Sequence, residues 1–214
     1  MQSLVIVGAG GHGRDVLDVI DAMNAAAPRF EFVGFLDDDA EAGKWFGLER
    51  LGPVSRLAEL TAQYVIAIGD SRARRRIDAV AQEAGRTAAT LVHPTASMGR
   101  QVELGPGCVL MAGVRVTNHV TMGRHVHVNQ NATVGHDCTL GDYVTLSPLV
   151  ALSGAVNVGA VATLGTGAVV VPGKRVGADS VVGAGAAVVD DVPDGITVVG
   201  VPARPVSSDA TPPA

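Results

Sequence analysis

The sequence predicts a mixed fold class, in which a small α/β domain is followed by a parallel β-helix. Two observations predict it. An aliphatic residue or methionine recurs at every sixth position from Val92 to Val188 without a break. Before residue 90, apolar segments of strand and helix character alternate instead. Helices repeat every 3.6 residues and plain strands every 2, so a period of six indicates short strands joined by turns in a solenoid.

The N-terminal part alternates strands and helices. We expect strands over residues 4–7, 30–36 and 64–68, a helix over about 14–24, and a second helix to about residue 84 that Ser71 caps. This order is typical of a small parallel sheet with helices packed on it. The predicted domains are therefore 1–90 for the α/β part and 91–204 for the β-helix, with a flexible tail over 205–214.

Within the solenoid, the residue four places after each repeat position is small or β-branched in nearly every case. Both positions are expected to fill a narrow prism, which also explains an aromatic content of only 3%. Glycine directly follows the repeat position at nine places, where we expect it to ease the bend. Cys108 and Cys138 occupy inward positions on different faces, so a disulfide is not expected and both are interpreted as free core thiols.

Composition narrows the possible partners. A net charge of −5 and a pI near 5.6 argue against nucleic acid, whose phosphates require a basic surface. The one basic cluster, Arg72 with Arg74, Arg75 and Arg76, is interpreted as a solvated helix face. Neither a signal peptide nor an apolar run of about 20 residues is found, so we expect a cytoplasmic protein without a membrane span.

Gly8, Gly10 and Gly13 form the pattern G-x-G-x-x-G between a predicted strand and a predicted helix. In that context glycines let a ligand approach the backbone, and the helix N-terminus offers amides to an anion. The segment is therefore interpreted as a Rossmann-like site for a phosphate-containing ligand, with a structural tight turn as the alternative. Asp37, at the end of the next strand, is placed to accept a hydrogen bond from a ribose hydroxyl.

Six short motifs extend over nearly the whole chain. They are V-G-A-G-G-H-G at 7–13, F-L-D-D at 35–38, I-A-I-G at 66–69, H-P-T-A at 93–96, G-H-D-C at 135–138 and G-V-P-A-R at 200–204. Together they resemble the hexapeptide-repeat sugar acetyltransferases of the sialic-acid O-acetyltransferase and bacillosamine N-acetyltransferase (NeuD/PglD) type. The resemblance implies a left-handed β-helix, a homotrimer, and acetyl-CoA bound between neighbouring subunits without a metal.

The resemblance also implies roles for individual residues. The nucleotide-linked amino sugar would contact residues of both domains: Gly10, Gly11, His12, Asp37, Asp38, Gly69 and Asn129. Acetyl-CoA would contact Thr145, Gly154, Thr166 and Ala184, with the Gly154 amide at the thioester carbonyl. Thr145 departs from the family pattern, because relatives commonly carry a second histidine there.

His136 and Asp137 are the predicted catalytic pair. His136 should lie at a solvent-facing corner, where its imidazole can take the proton of the acceptor, and Asp137 can fix its tautomer. The alternative is an ordinary polar corner. Among the other histidines, His119 should stack below Asp137, whereas His125 and His127 should face outward.

The sequence thus predicts an acetyl-CoA-dependent N-acetyltransferase that acts on a nucleotide-linked 4-amino-4,6-dideoxyhexose for bacterial surface glycan synthesis. Two alternatives stay open at this point: O-acetylation of a sialic-acid-like sugar, and a non-catalytic scaffold that binds nucleotide sugars.

Overall fold

The protein is described by a computed structural model over residues 1–39 and 50–206. Its N-terminal part is a parallel four-stranded sheet of order β3-β2-β1-β4. The elements are β1 (Gln2–Val7), α1 (Gly11–Ala26), β2 (Phe30–Leu36), β3 (Arg50–Gly52), a 3-10 helix (Val54–Ala58), β4 (Gln63–Ile66) and α2 (Ser71–Glu83).

Successive side chains of a strand point to opposite faces of the sheet. Both faces of this sheet carry apolar side chains that are buried. Leu4 and Ile6 of β1 pack with α1, in a core that continues into the second half of the chain. Val5 and Val7 pack against Tyr64, Ile66 and other residues on the opposite side. Near-continuous apolar strands of this kind are typical of parallel sheets covered on two faces.

The second half of the chain is a three-sided β-helix whose parallel strands from β5 to β21 pair with residues 18 positions away, as Thr145 does with Thr163. The first face contains β5 (Leu91–Val92), β8 (Val109–Leu110), β11 (His127–Val128), β14 (Thr145–Leu146), β17 (Thr163–Leu164), β20 (Val181–Val182), β22 (Thr197–Val199) and β23 (Arg204–Pro205). The second face contains β6 (Ser97–Met98), β9 (Arg115–Val116), β12 (Thr133–Val134), β15 (Ala151–Leu152), β18 (Val169–Val170) and β21 (Ala187–Val188). The third face contains β7 (Val102–Leu104), β10 (Val120–Met122), β13 (Thr139–Leu140), β16 (Asn157–Val158) and β19 (Arg175–Val176).

Every six-residue repeat position falls at the end or inside one of these strands, and most of these side chains are buried. Met98, in the first coil, is an exception with 43% of its side chain exposed. Cys108 and Cys138 are buried free thiols, as expected. Pro205 pairs in β23 and Val206 is described, whereas residues 207–214 of the predicted tail lie outside the described residues.

The reason given above for the glycines that follow the repeat positions is wrong. The residues with positive φ lie two places later, for example Gln101, Asp137 and Tyr143. A Cβ on Gly141 would instead lie 2.6 Å from the backbone nitrogen of Ala160 in the next coil. These glycines therefore allow successive coils to approach closely, and the turn itself is made elsewhere.

The predicted cap of α2 is also wrong. Asp70, one residue before Ser71, is the N-cap, and its carboxylate accepts a hydrogen bond of 2.9 Å from the backbone amide of Ala73. The Ser71 hydroxyl instead lies 3.0 Å from the Thr145 hydroxyl on the first face of the β-helix. Ser71 thus helps to join the two halves of the chain.

A buried carboxylate holds the two halves together. Asp78 of α2 is fully buried and accepts hydrogen bonds from Tyr64 and Gln82 of its own half. It also accepts them from three residues at a corner of the β-helix: Arg124, His125 and Tyr143. The His125 ring is stacked between the rings of Tyr64 and Tyr143, at centroid distances of 5.8 and 5.9 Å.

This arrangement corrects the expectation that His125 faces solvent, since its side chain is fully buried under the N-terminal half. Burial opposes ionisation of Asp78, but the hydrogen bonds from His125, Arg124, Tyr143 and Tyr64 outweigh it and hold the pKa of the carboxyl well below its usual range. Asp78 therefore remains charged inside the protein.

Replacing Asp78 with Ala should lower the free energy of unfolding by about 3–5 kcal/mol, because the buried His125 and the partly buried Arg124 would lose their partner. As a matched control, Asp179→Ala removes an exposed ion pair with Arg72 of 3.0 Å and should cost at most about 1 kcal/mol. Urea denaturation at pH 7 measures both. Equal losses in the two variants would contradict the importance of the buried network.

The free energy of unfolding should also depend on pH, and the sign of this dependence follows from the depressed pKa of Asp78. Because the folded pKa of Asp78 is depressed, its contribution is complete above the unfolded pKa of about 3.9 and is lost as the pH falls below it. The wild-type protein should therefore lose more stability than Asp78→Ala between pH 5 and pH 3.

Candidate active site

A cavity of about 340 Å³ lies between the N-terminal half and the first face of the β-helix. His12, Asp15 and Gly69 line it from the N-terminal side. From the β-helix it is lined by His127, Asn129, Gln130, Thr145, Ser147, Pro148 and Thr163. The structure thus brings together four of the residues predicted from the sequence to bind ligands, namely His12, Gly69, Asn129 and Thr145.

The glycines of the glycine-rich turn are of two kinds, those that internal packing requires and those with free space beside them. A Cβ on Gly13 would lie 2.1 Å from the carbonyl oxygen of Gly8, so this glycine is required where α1 packs against β1. A Cβ on Gly10 would meet nothing within 4 Å, and one on Gly11 would meet only the Arg14 side chain at 3.7 Å. Internal packing does not require Gly10 or Gly11, which fits a backbone that a ligand approaches.

The two aspartates after β2 hold backbone amides. Asp37 accepts hydrogen bonds from the amides of Ala9, at 2.7 Å, and of Asp39. Asp38 accepts one of 2.9 Å from the amide of Val54. Asp37 therefore ties the glycine-rich turn to the end of β2, and the nucleoside contacts of both aspartates stay predictions.

His12 and His127 meet at the cavity wall. His12 Nε2 lies 3.1 Å from His127 Nδ1. The expectation that His127 is solvent-exposed is wrong: its side chain leaves the prism, but the N-terminal half covers it completely. Burial lowers the pKa of both rings, and the neighbouring positive charge of Arg74 lowers it further.

Arg74 itself corrects the interpretation of the basic cluster as a solvated face, because it is fully buried. Its guanidinium donates hydrogen bonds of 2.8 Å to the Tyr143 carbonyl and to the Thr145 hydroxyl. Thr145 is consequently buried, with its hydroxyl between Arg74 and Ser71. Arg74 was missed because its sequence neighbours Arg75 and Arg76 are exposed.

Asn129 reaches the cavity from the residue after β11. Its side-chain amide donates a hydrogen bond of 2.8 Å to the carbonyl of Leu146, which fixes its orientation. The same bond also fixes the direction of the amide oxygen. The predicted contact of Asn129 with the sugar stays a prediction.

His136 and Asp137 form a close pair at the corner between the second and third faces. His136 Nδ1 lies 2.7 Å from Asp137 Oδ2, and their side chains are 62% and 58% exposed. In the neutral ring, Nδ1 donates its proton to the carboxylate and Nε2 keeps its lone pair. This is the arrangement of a general base whose reactive nitrogen is open to a substrate.

Gly154 lies directly over this imidazole. A Cβ at Gly154 would lie 2.5 Å from His136 Nε2. At the other positions of this kind, two residues after each repeat residue from Arg100 to Ala184, the sequence has residues with side chains. The backbone of such corners therefore accepts a Cβ, and the glycine at 154 leaves room for the imidazole ring of His136. Among the described residues, its amide has no hydrogen-bond acceptor.

The other two residues predicted to contact acetyl-CoA lie elsewhere. Thr166 and Ala184 are exposed at the corner between the first and second faces, one coil above the other. A single chain therefore does not bring them next to Gly154. In the described part of the chain, no group of ligating side chains could hold a metal ion, and no helix has the length and apolarity to cross a membrane.

His136 and the cavity lie on opposite sides of the prism. The cavity opens on the first face, whereas the corner of His136 joins the second and third faces and is the edge opposite to it. One chain therefore holds both predicted parts of an active site but does not join them.

Comparisons with known proteins agree with this architecture. The sequence family described as the PglD N-terminal domain matches residues 3–79. The crystal structure of PerB from Caulobacter crescentus, in complex with CoA and GDP-perosamine, is 35% identical, with a TM-score of 0.89 over 97% of this chain and 98% of PerB. The acetyltransferase domain of PglB from Neisseria gonorrhoeae is 36% identical, with a TM-score of 0.88 over 96% of this chain and all of that domain.

That domain has also been solved in complex with acetyl coenzyme A. A curated relative, the UDP-N-acetylbacillosamine N-acetyltransferase of Bacillus subtilis, is 36% identical over 121 residues. This match spans about half of that protein, 52%, and 52% of this chain.

These relatives define a class, the acetyltransferases that combine an α/β domain with a left-handed β-helix, and they confirm the fold class predicted from the sequence. The chain belongs to the PglD- and PerB-type family of nucleotide-sugar N-acetyltransferases within that class, as the sequence motifs indicated.

Gly154→Ala should displace the His136 ring and lower kcat by about 10- to 100-fold, since a misplaced base costs orders of magnitude. The melting temperature should change by less than about 3 °C, because the exposed imidazole can swing away. The matched control is Ala178→Gly, the reverse exchange at an equivalent corner distant from His136, which should keep kcat within twofold of wild type. Wild-type kcat in Gly154→Ala would contradict the idea that the missing Cβ at 154 is needed to hold the His136 ring in place.

Proposed function

We propose that the chain is an acetyl-CoA-dependent N-acetyltransferase that modifies a nucleotide-linked 4-amino-4,6-dideoxyhexose during bacterial surface glycan synthesis. The observation that carries the proposal is the His136–Asp137 pair, with the open imidazole nitrogen below Gly154. Family membership supports the reaction type, because its relatives are named as N-acetyltransferases of amino sugars or hold CoA and GDP-perosamine. We place the reaction in the cytoplasm.

The chemistry follows from the geometry of the pair. The amine nitrogen of the sugar attacks the thioester carbon while His136 Nε2 takes its proton. Asp137, bonded to Nδ1, stabilises the imidazolium that forms. The negative charge on the carbonyl oxygen is met by the Gly154 amide, which has no other acceptor in the described residues. Collapse of the intermediate expels the CoA thiolate, which takes the proton from the imidazolium.

The nucleotide sugar occupies the cavity beside the glycine-rich turn in this proposal. Open backbone at Gly10 and Gly11, at the N-terminus of α1, favours a diphosphate there. The sugar then reaches His12 of α1 and Asn129 of the β-helix, which both line the cavity. A non-catalytic scaffold would need this cavity but would have no use for the His136–Asp137 pair.

The active site is completed by a second subunit in this proposal. Because His136 lies on the edge opposite its own cavity, the base must face the cavity of a neighbouring chain. A closed ring of three chains repeats this contact three times. Acetyl-CoA then lies between neighbours, where Gly154 of one chain and Thr166 and Ala184 of another can form two walls of one groove.

The proposed base is tested by His136→Asn, which keeps a polar side chain but removes the proton acceptor. We expect kcat to fall by about 10²- to 10⁴-fold while the affinity for CoA barely changes. Asp137→Asn should do less harm, since it alters orientation and basicity only. The assay is thiol release from acetyl-CoA with a panel of GDP-, UDP- and dTDP-linked amino sugars. His136→Asn with more than about a third of wild-type kcat would place the base elsewhere.

The shared site is tested by mixing two defective chains. Gly11→Val should obstruct the nucleotide sugar and raise its KM without affecting acetyl-CoA binding, and His136→Asn should lack the base. In randomly mixed trimers about a quarter of the sites would combine an intact cavity with an intact base, and activity should reappear accordingly. If base and cavity acted within one chain, mixing would restore nothing. Light scattering of the wild-type protein checks the trimer itself.

A further inference from the structure

Arg74 is a buried cation without a neutralising carboxylate. Its guanidinium donates to the carbonyl oxygens of Ile68, Gly69 and Tyr143 and to the Thr145 hydroxyl, and these acceptors are uncharged. In the described part of the chain no carboxylate forms an ion pair with it. Burial lowers its pKa to about 10, so it is charged at neutral pH. A charge in this setting acts strongly on its neighbours.

The charge lies against the wall of the cavity. Two of its partners, Gly69 and Thr145, line the cavity together with His12 and His127. The two imidazole rings meet at 3.1 Å between nitrogens, with their centroids 5.2 Å apart. Only one proton fits between those nitrogens, and a second positive ring would face both its partner and Arg74.

The other charged or titratable groups near His12 and His127 either act more weakly on these two rings or are bonded to other partners. Asp15, on α1 with His12, favours the protonated form of His12, but burial and Arg74 outweigh it. His125 adds a further opposing influence on protonation of His127. Asp70, one turn before Arg74, attracts its charge without forming an ion pair, and it is exposed with its carboxylate capping α2.

The backbone near His127 favours one arrangement of the protons. His127 Nδ1 is directed at His12, so Nε2 is the ring nitrogen left for the Ile66 backbone, which favours the protonated ring although Nε2 makes no regular hydrogen bond within the described residues. A carbonyl oxygen only accepts, so this surrounding favours the tautomer with the proton of His127 on Nε2 and with Nδ1 accepting from His12. His12 then donates through Nε2, and its Nδ1 has a free lone pair.

We propose that Arg74 is a positioning residue for the acceptor sugar: its unneutralised charge keeps the His12–His127 pair neutral, so that His12 Nδ1 accepts a hydrogen bond from the amino group. The inference rests on the proposed function of the cavity. The same charge disfavours an ammonium ion in the cavity, and the amine must be uncharged to attack a thioester.

Two variants separate the charge of Arg74 from its hydrogen bonds. Arg74→Met and Arg74→Lys both lose the fork of bonds to three carbonyls, but only the lysine keeps a cation. In the Met variant the pKa of His12, followed by NMR of labelled histidine, should rise by about one unit or more. The Lys variant should stay close to wild type.

The kinetics should show a matching pH dependence. For Arg74→Met, the KM of the nucleotide sugar should rise by about three- to tenfold at pH 6, where part of His12 is protonated, and return close to wild type at pH 8. The KM of acetyl-CoA should stay unchanged at both values. A KM raised equally at pH 6 and pH 8 would overturn the proposal and make Arg74 a structural link only.

The wild-type protein gives an independent test if a variant does not fold. His12 must remain neutral at pH 6, so a wild-type His12 that titrates at or above the ordinary value of about 6.5 would also overturn the proposal. This titration needs no substrate. Its outcome is therefore separate from that of the acetyl-transfer assay, which tests the proposed function.

Discussion

The narrow interior of the prism is the constraint on which the rest of the molecule depends. Each six-residue side offers two inward positions, which are filled mainly by Val, Leu, Ala and Cys. A polar exception, Ser180, is buried and donates its hydroxyl to the Gly177 carbonyl, so it is not available to a ligand. The chemistry of the β-helix is therefore expected on its faces and corners. The His136–Asp137 pair at a corner and the cavity on the first face both follow from this geometry. A rigid prism also cannot bend one edge towards the opposite face, which is why the proposed site needs a neighbour.

Beside the apolar core that they share, the two halves of the chain also meet through buried charged groups. Asp78 and Arg74, both on α2, are completely buried at this contact. Removing one partner of a buried polar network is costly, but replacing all of its partners together with well-packed apolar residues is often neutral or stabilising, so stability alone does not explain why these groups are buried. Their directional bonds to Tyr143 and Thr145 fix how α2 lies on the β-helix. Gly69, two residues before α2 begins at Ser71, lines the cavity, so the placement of α2 also places this part of the cavity wall.

Much of the fold could be predicted from the sequence because it is encoded locally. The six-residue period defines the strands of the β-helix, and each repeat position from Val92 to Val188 lies in one of them. The His136–Asp137 pair could be placed at a corner for the same reason, since its register in the repeat decides whether it points outward. The residues of the glycine-rich turn were found because their pattern depends on an adjacent strand and helix.

The residues that sequence reasoning misplaced all lie where one half of the chain covers the other. His125 and His127 do point away from the prism, as their register requires, but α2 and the end of β4 pack over them. Arg74 looks like Arg75 and Arg76 in sequence and differs only in the side of α2 on which it lies. Which face of a solenoid a second domain will cover is a tertiary contact between distant segments, and no local period records it.

Three uses of glycine in this chain also explain why a motif alone cannot assign a site. At Gly13 and Gly141 the missing Cβ lets two pieces of backbone touch, so these glycines belong to the fold. At Gly10 and Gly11 nothing in the protein occupies the space, which leaves it for a ligand. At Gly154 the space is taken by the imidazole of His136, the proposed base. The sequence presents the same letter in each case, and only the atoms opposite the missing side chain distinguish packing from binding and from catalysis.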